Sequence, residues 1–333
     1  MSETPTSPAD EVGSPHSVRT ILLRLLAAAA VAAVAILVQR TVLADDPSRS
    51  TFGVKVRSYP VESELLERSM PSRVVVPPGA PPKDRPLVVF LHGRGEDERS
   101  YLIEPMFEAL SALRSRAPVM VFPSGGDSSY WHDRESGAWG SYVLEEVIPD
   151  VVERFDIDPD RIAIGGISMG GFGAFDLARL EPERFCAAAG HSPVIWETAS
   201  ETADGAFDDA DDFDRNDVIS VAGSEPNPYQ EMRVWLDAGD NDPFLAGDEA
   251  FEQALREIGE RPIVSRSGGG HDSDYWNDNW KEYLGFYARS LAACERERRE
   301  AEKERDAGEP KDEEAGVSGS RSQSNGAARE GGG

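Results

Sequence analysis

Short apolar runs alternate with longer helical patterns between about residues 52 and 293, and this alternation restricts the fold more than any other feature. A run that is apolar at almost every position, such as residues 86–92 (PLVVFLH), is typical of a strand buried on both faces. Strand patterns that alternate with helical ones predict a mainly parallel central sheet with helices on both faces. The sequence therefore predicts an α/β domain over residues 45–294.

The individual segments can be placed along the chain. Strands are predicted at residues 69–76, 86–92, 118–122, 161–164, 185–189, 233–236 and 262–264. Helices are predicted at residues 101–115, 142–155, 172–180, 246–258 and 274–293.

Residues 195–230 interrupt the alternation. They include the acidic stretch GAFDDADDFDRNDVI, which is too polar for a core, and the segment is too long for a simple connection. We expect a lid-like insertion over the sheet. A calcium loop beginning at Asp212 would place Asp217 where Gly is required and Gly223 where Glu is required, so the stretch is interpreted as a solvated acidic loop with no metal ion.

The N-terminal end has the composition of a targeting segment. Residues 1–17 are rich in Ser, Pro and acidic residues and are predicted to be disordered. Residues 18–44 contain basic residues, then an apolar run, then small residues before Asp45, which fits either a signal peptide or a short membrane anchor. Both interpretations export the domain, because basic N-terminal flanks favour the cytoplasmic side. The protein is expected outside the membrane, anchored or released near Ala44.

The C-terminal end, residues 295–333, is interpreted as a charged disordered tail that begins as a solvated helix extension. The whole chain has 34 Lys and Arg against 61 Asp and Glu, a formal charge of -27. A nucleic acid would be repelled at long range, so we expect no nucleic-acid partner.

The two cysteines, Cys186 and Cys294, are far apart in sequence, and we expect both to be inert packing or surface residues rather than a disulfide.

A nucleophile motif, G-x-S-x-G, occurs with Ser168 at its centre in the segment GGISMGG. It follows the strand pattern RIAI and precedes the helical pattern GFGAFDLARL, which is the strand-turn-helix context in which the motif exposes a serine. Glycines on both sides allow the close backbone contacts that such a sharp turn requires. The motif predicts an α/β-hydrolase fold with Ser168 as the nucleophile.

A serine hydroxyl needs a base within hydrogen-bond reach. Among the five histidines, His271 stands in the loop SGGGHDSDYW after the last predicted strand, and we assign it as the general base. The acid that orients it is expected in the loop DAGDNDPF, where Asp237, Asp240 and Asp242 compete. Asp240 and Asp242 both lie beyond the strand, and we choose Asp242 because the G-x-x-D spacing from Gly239 carries the chain past the strand end before the acid appears. The order Ser, Asp, His is the one this fold requires.

The tetrahedral intermediate also needs donors for its oxyanion. The fold supplies the N–H group that follows the nucleophile, here that of Met169, and one from the loop HGRG. The second donor is predicted to be the backbone N–H of Arg94.

The segments LHGRG, GISMGGFGA, LDAGDNDPF and GGGHDSDYW resemble the esterase D family, which includes feruloyl esterases, S-formylglutathione hydrolases and antigen 85 mycolyltransferases. The resemblance implies the triad roles already assigned and places Trp131, Trp139 and Tyr142 at the substrate pocket. The mycolyltransferases use a glutamate as the triad acid, so an aspartate argues against mycolyl transfer. Export argues against S-formylglutathione, which is a cytosolic thiol ester.

We therefore expect a carboxylic ester hydrolase that needs no cofactor and acts on a small-molecule, lipid or sugar ester. Two alternatives are compatible with the same residues. One is an acyltransferase that uses the same triad with a sugar or lipid alcohol, and the other is a non-catalytic binding protein on the same scaffold.

Overall fold

The structure is a computed structural model that describes residues 50–81 and 83–308. The predicted leader (1–17) and the predicted signal peptide or anchor (18–44) lie outside these residues, as does the end of the chain after residue 308. In the part that is described, no helix has the length and apolar character needed to cross a membrane.

The central sheet has eight strands in the order β1-β4-β6-β5-β9-β10-β11-β12. These strands are Lys55–Ser58 (β1), Ser72–Val76 (β4), Arg85–Leu91 (β5), Val119–Pro123 (β6), Ile157–Ile167 (β9), Phe185–His191 (β10), Arg233–Gly239 (β11) and Ile263–Ser267 (β12). Strand β4 is antiparallel to β1 and β6, whereas all neighbouring pairs from β6 to β12 are parallel. The predicted mainly parallel sheet is confirmed.

The described chain also has two small hairpins, eight α-helical segments and three 3-10 helices at Arg114–Arg116, Pro182–Arg184 and Ala199–Glu201. The hairpins pair Val61–Ser63 (β2) with Arg68–Met70 (β3), and Asp133–Arg134 (β7) with Gly137–Ala138 (β8). The helices are Glu104–Ala112 (α1), Trp139–Ser141 (α2), Ile148–Arg154 (α3), Met169–Leu180 (α4), Ala210–Arg215 (α5), Val218–Ala222 (α6), Leu245–Glu257 (α7) and Ser273–Gly308 (α8). A π-helical segment, Tyr142–Val147, joins α2 to α3.

Both faces of the sheet are buried, as its apolar strands require. On β5, Val88 and Phe90 belong to a core cluster that includes residues of α1 and α8, whereas Leu87, Val89 and Leu91 belong to the cluster that includes α3, α4 and α7. Successive side chains of a strand point to opposite faces, so one strand serves both clusters. Each fully buried side chain of this size contributes about 1.5–3 kcal/mol to stability.

The expectation for the cysteines is wrong. Cys186 at the start of β10 and Cys294 in α8 form a disulfide, with 5.7 Å between their Cα atoms. The two cysteines are 108 residues apart in sequence, which argued against a disulfide. They meet in space because α8 packs against β9 and β10. Distance along the chain does not decide whether two thiols meet in space.

The expectation for residues 195–230 also needs correction. The acidic segment is not simply a solvated loop, because Asp209 and Asp217 cap the short helices α5 and α6 by accepting backbone N–H groups. Phe213 and Val218 from the same segment are buried in the core. Helix α8 continues to Gly308 with residues 295–301 exposed or half-buried, which confirms the solvated helix extension predicted at the start of the charged tail.

Candidate active site

Ser168 occupies a strained turn between β9 and α4, with φ 57° and ψ -118°. Such a conformation is unfavourable for a residue with a Cβ atom and persists only when the surroundings enforce it. A Cβ atom at Gly170 would lie 2.1 Å from the carbonyl oxygen of Leu91, and one at Gly166 would lie 2.5 Å from the carbonyl of Gly170. Both glycines of the motif are therefore required by backbone contacts. The turn, residues 166–170, is called the elbow below, and it presents the serine at the carboxyl end of the sheet.

The three residues predicted as a triad are brought together. His271 Nε2 lies 2.9 Å from Ser168 Oγ, and His271 Nδ1 lies 2.9 Å from Asp242 Oδ2. Since an ionised carboxylate can only accept, Nδ1 carries the proton and Nε2 is free to accept the serine hydroxyl proton. The loop that follows β12 supplies His271, and the loop that follows β11 supplies Asp242.

The three competing aspartates have different surroundings. Asp240 is exposed, and its carboxylate accepts hydrogen bonds from Asn241 and from the N–H of Gly269. Asp237 is buried and pairs with His191. Of the three, Asp242 is the one whose carboxylate contacts His271.

The charge of Asp242 is maintained by its partners. Burial raises the pKa of this carboxyl, but hydrogen bonds from His271 and from the N–H of Phe244 outweigh burial and hold the pKa below its usual range. Asp242 therefore stays ionised at neutral pH and can stabilise an imidazolium on His271.

The two predicted oxyanion donors belong to chain segments that adjoin the nucleophile. The N–H of Met169 belongs to the first turn of α4, where backbone N–H groups have no intrahelical acceptor. Arg94 belongs to the loop after β5, and a Cβ atom at the preceding Gly93 would lie 3.5 Å from Ser168 Cβ. The N–H of Gly93 itself donates to Glu96 at 2.8 Å, which leaves Arg94 as the donor that this loop can offer.

His92 holds the oxyanion loop in place, a role the sequence analysis did not assign. The N–H of Gly125 donates to His92 Nε2 at 2.9 Å, so the proton of the neutral ring is on Nδ1, which donates to the carbonyl of Gly93 at 2.9 Å. Burial lowers the pKa of His92 and keeps the ring neutral. The position of His92 directly before the HGRG glycine was the available clue.

The expected pocket residues are placed differently from the prediction. Trp131 and Tyr142 are fully buried, and Trp139 is 6% exposed. Trp131 packs against Gly173 of α4 and donates from Nε1 to the carbonyl of His92, and the guanidinium of Arg68 lies over the ring of Trp139. The burial of Trp131 and Tyr142 argues against the expectation that they border the substrate.

Other aromatic rings flank the catalytic imidazole. The ring of Phe244 lies 5.0 Å from that of His271, and the ring of Trp276 lies 5.2 Å from it, both in edge-on geometry. Trp276 Nε1 also donates to Ser192 Oγ at 3.1 Å, which fixes its orientation. Phe244 and Trp276 were missed although both stand within five residues of a predicted triad member.

A second buried His–Asp pair lies behind the elbow. His191 Nδ1 hydrogen-bonds the carboxylate of Asp237, and His191 Nε2 lies 2.9 Å from the hydroxyl of Tyr287. The carbonyl of His191 accepts the N–H of Ser168 at 3.0 Å, so this network supports the nucleophile from the neighbouring strand. His191 and Asp237 are register partners on the parallel strands β10 and β11, at the edge where catalytic residues are expected.

The chain belongs to the Esterase family, whose model matches residues 63–293. The match covers seven of the eight strands of the central sheet, all except β1, together with the turn that holds Ser168 and the histidine loop. The resemblance to the esterase D group and the α/β-hydrolase fold are both confirmed.

Individual relatives are distant. An esterase of Mycobacterium tuberculosis is 23% identical over 56% of this chain and 48% of its own length, and the S-formylglutathione hydrolase of Bos taurus is 22% identical over 69% and 91%. The chain thus spans about half the length of the first of these relatives. The solved structure of a ferulic acid esterase aligns with a TM-score of 0.64 at 22% identity, covering 72% of this chain and 99% of that one.

Proposed function

We propose that this protein is a serine hydrolase that cleaves carboxylic esters through an acyl-enzyme intermediate. The observation that carries the proposal is the hydrogen-bonded series Ser168, His271 and Asp242 on a strained elbow. Membership of the Esterase family, with relatives named esterase and S-formylglutathione hydrolase, supports it.

The geometry suits two acyl-transfer steps. Ser168 Oγ attacks the ester carbonyl carbon while His271 Nε2 takes the hydroxyl proton, and the carbonyl oxygen gains negative charge near the N–H groups of Met169 and Arg94. Collapse breaks the bond to the alcohol oxygen, which leaves with the proton from His271. A water molecule then repeats the sequence on the acyl-enzyme and releases the acid. Asp242 stabilises the imidazolium in both steps.

The test of this proposal is Ser168→Ala, compared with Ser200→Ala in the exposed part of the insertion. We expect Ser168→Ala to reduce hydrolysis of para-nitrophenyl acetate by at least about 10⁴-fold and to abolish labelling by a fluorophosphonate. Ser200→Ala should behave like the wild type, and circular dichroism should show both variants folded. Labelling that persists in Ser168→Ala would move the nucleophile to another residue.

Hydrolysis and acyl transfer share this chemistry up to the acyl-enzyme. We propose water as the acceptor, because an aspartate rather than a glutamate serves as the triad acid. Chromatography of reactions with and without glycerol or glucose separates the two outcomes. Free acid as the main product in both supports hydrolysis, whereas a new ester that grows with acceptor concentration supports transfer.

We also propose that the domain works outside the cytoplasmic membrane. The sequence of residues 18–44 supports export, and so does the Cys186–Cys294 disulfide, because disulfides persist in oxidising compartments and are rare in the cytosol. Cell fractionation with N-terminal sequencing tests this proposal. A start at Asp45 indicates secretion and an intact leader in the membrane fraction indicates an anchor, whereas full-length protein in the soluble cytosol contradicts both.

A further inference from the structure

The side chain of Arg94 is exposed at the loop that carries the proposed oxyanion donor. Its Nη2 donates to the carbonyl oxygen of Asp204, 3.3 Å away in the insertion. The neighbouring Gly93 borders the nucleophile, since a Cβ atom there would lie 3.5 Å from Ser168 Cβ. The guanidinium therefore bridges from the oxyanion loop to the insertion, next to the nucleophile.

A row of aromatic rings leads from the catalytic imidazole to the same guanidinium. The ring of Phe244 lies 5.0 Å from that of His271 and 6.1 Å from that of Trp196, whose ring is 5.5 Å from that of Tyr130. Burial raises the pKa of Tyr130, and the nearby charge of Arg94 opposes this rise. The contact of Gly93 with Ser168 thus places Arg94 beside the nucleophile, and the aromatic row runs from the catalytic imidazole to Tyr130, which neighbours Arg94.

The charge of Arg94 is not neutralised by the protein. Within the described residues, Arg94 has no carboxylate within 4.0 Å, whereas Arg99 pairs with Asp97 and Arg134 pairs with Asp208 in neighbouring loops. The chain has a formal charge of -27, so carboxylates are abundant in the sequence. The guanidinium of Arg94 is nevertheless left without a carboxylate partner among the described residues. The guanidinium donates to the carbonyl of Asp204 and also has the Tyr130 hydroxyl as a hydrogen-bond partner, and its remaining donors can bind a carboxylate.

We propose that Arg94 forms a subsite for a carboxylate group on the ester substrate, so that the enzyme prefers esters that carry a negative charge at a distance from the scissile bond. The proposal rests on the ester hydrolase function proposed above. Such a charged group would be bound in the ground state and in the transition state alike, which raises kcat/KM mainly through KM.

The test uses two matched pairs of substrates. Para-nitrophenyl hydrogen adipate against para-nitrophenyl hexanoate places the carboxylate on the acyl side, and para-acetoxybenzoate against its methyl ester places it on the alcohol side. The readout is the ratio of kcat/KM for the charged ester to that for the neutral ester. The variants are Arg94→Gln and Arg94→Lys, both of which keep the backbone N–H, and the control is Arg256→Gln on the exposed surface of α7.

We expect Arg94→Gln to lower the ratio by about 10- to 100-fold for at least one pair, the size expected when a charge-assisted hydrogen bond is lost. Arg94→Lys should retain part of the preference, and Arg256→Gln should leave the ratio unchanged. The pair that responds identifies the acyl or the alcohol side. A ratio unchanged in Arg94→Gln for both pairs, or changed equally in Arg256→Gln, overturns the subsite.

Failure of the subsite and failure of the proposed function give different results. If neutral esters are hydrolysed in a Ser168-dependent manner and the ratio ignores Arg94, the subsite alone is wrong. If the wild type hydrolyses neither the neutral nor the charged esters, the proposed function itself is wrong.

Discussion

Asp240 and Asp242 are two residues apart in one loop, and their surroundings separate their roles. The carboxylate of Asp242 is buried and lies 2.9 Å from His271 Nδ1, whereas the exposed carboxylate of Asp240 accepts from Asn241 and Gly269. The carboxylate of Asp242 accepts the proton on Nδ1 and so fixes the imidazole tautomer. An asparagine there can present its NH2 group, a donor, to Nδ1 and favour the opposite tautomer.

We expect Asp242→Asn to lower kcat on the order of 10⁴-fold, the loss seen when tautomer control is removed in a serine protease. Asp240→Asn should cost less than about tenfold, because Asp240 makes no contact with the imidazole. Steady-state kinetics with para-nitrophenyl acetate measures both, and thermal unfolding checks that the variants are folded. A larger loss in Asp240→Asn would reverse the assignment.

The residues that could be predicted from sequence are those whose role depends on the local chain. Ser168 and His271 were identifiable because a strand-turn-helix motif and a glycine-rich loop are readable over about ten residues. Trp131 and Tyr142 were misplaced because a ring next to an active-site loop can face the substrate or the core, and only tertiary packing decides which. The Asp237–His191 pair was missed for the same reason, since it forms between two strands.

At the scale of elements, apolar periodicity predicts the main strands and helices. It does not predict the short helices α5 and α6, which depend on capping by Asp209 and Asp217. The composition of the acidic segment indicates a solvated loop. Asp212 is nevertheless fully buried, with its carboxylate 3.1 Å from His132 Nε2. The same carboxylate accepts the N–H of Asp208 at 2.9 Å and the side-chain amide of Asn216 at 3.1 Å. Asp212 therefore ties α5 to the loop that contains His132.

Replacement of Asp212 should loosen the insertion locally. We expect Asp212→Ala to destabilise it by about 1–3 kcal/mol, because several buried donors lose their acceptor. Hydrogen exchange of residues 199–222 should accelerate by about 5- to 150-fold, while exchange in the central sheet stays unchanged. Asp211→Ala, at an exposed neighbouring position of α5, is the control. Equal exchange in the two variants would show that the buried contacts of Asp212 do not hold the insertion.

At the scale of the whole molecule, the sheet and its long-range links depend on contacts between distant segments. Strand and helix patterns predicted the parallel sheet because βαβ connections constrain the topology strongly. The disulfide could not be predicted in that way, since it joins β10 to α8 across 108 residues. Both cysteines are buried in the core cluster that contains α1 and α8, so the bond fastens the C-terminal helix to the sheet.

The contribution of this bond to stability can be measured. In the chain-entropy model, closing a loop of about 100 residues is worth roughly 4.7 kcal/mol, and removal of native disulfides typically costs about 2–5 kcal/mol. We expect the double variant Cys186→Ala and Cys294→Ala to lose about this much unfolding free energy in urea. A reducing agent should destabilise the wild type to a similar extent and leave the double variant unaffected, which separates loss of the crosslink from side effects of the agent. If the double variant is as stable as the oxidised wild type, packing of α8 alone holds the helix against the sheet, and the crosslink is dispensable for the fold.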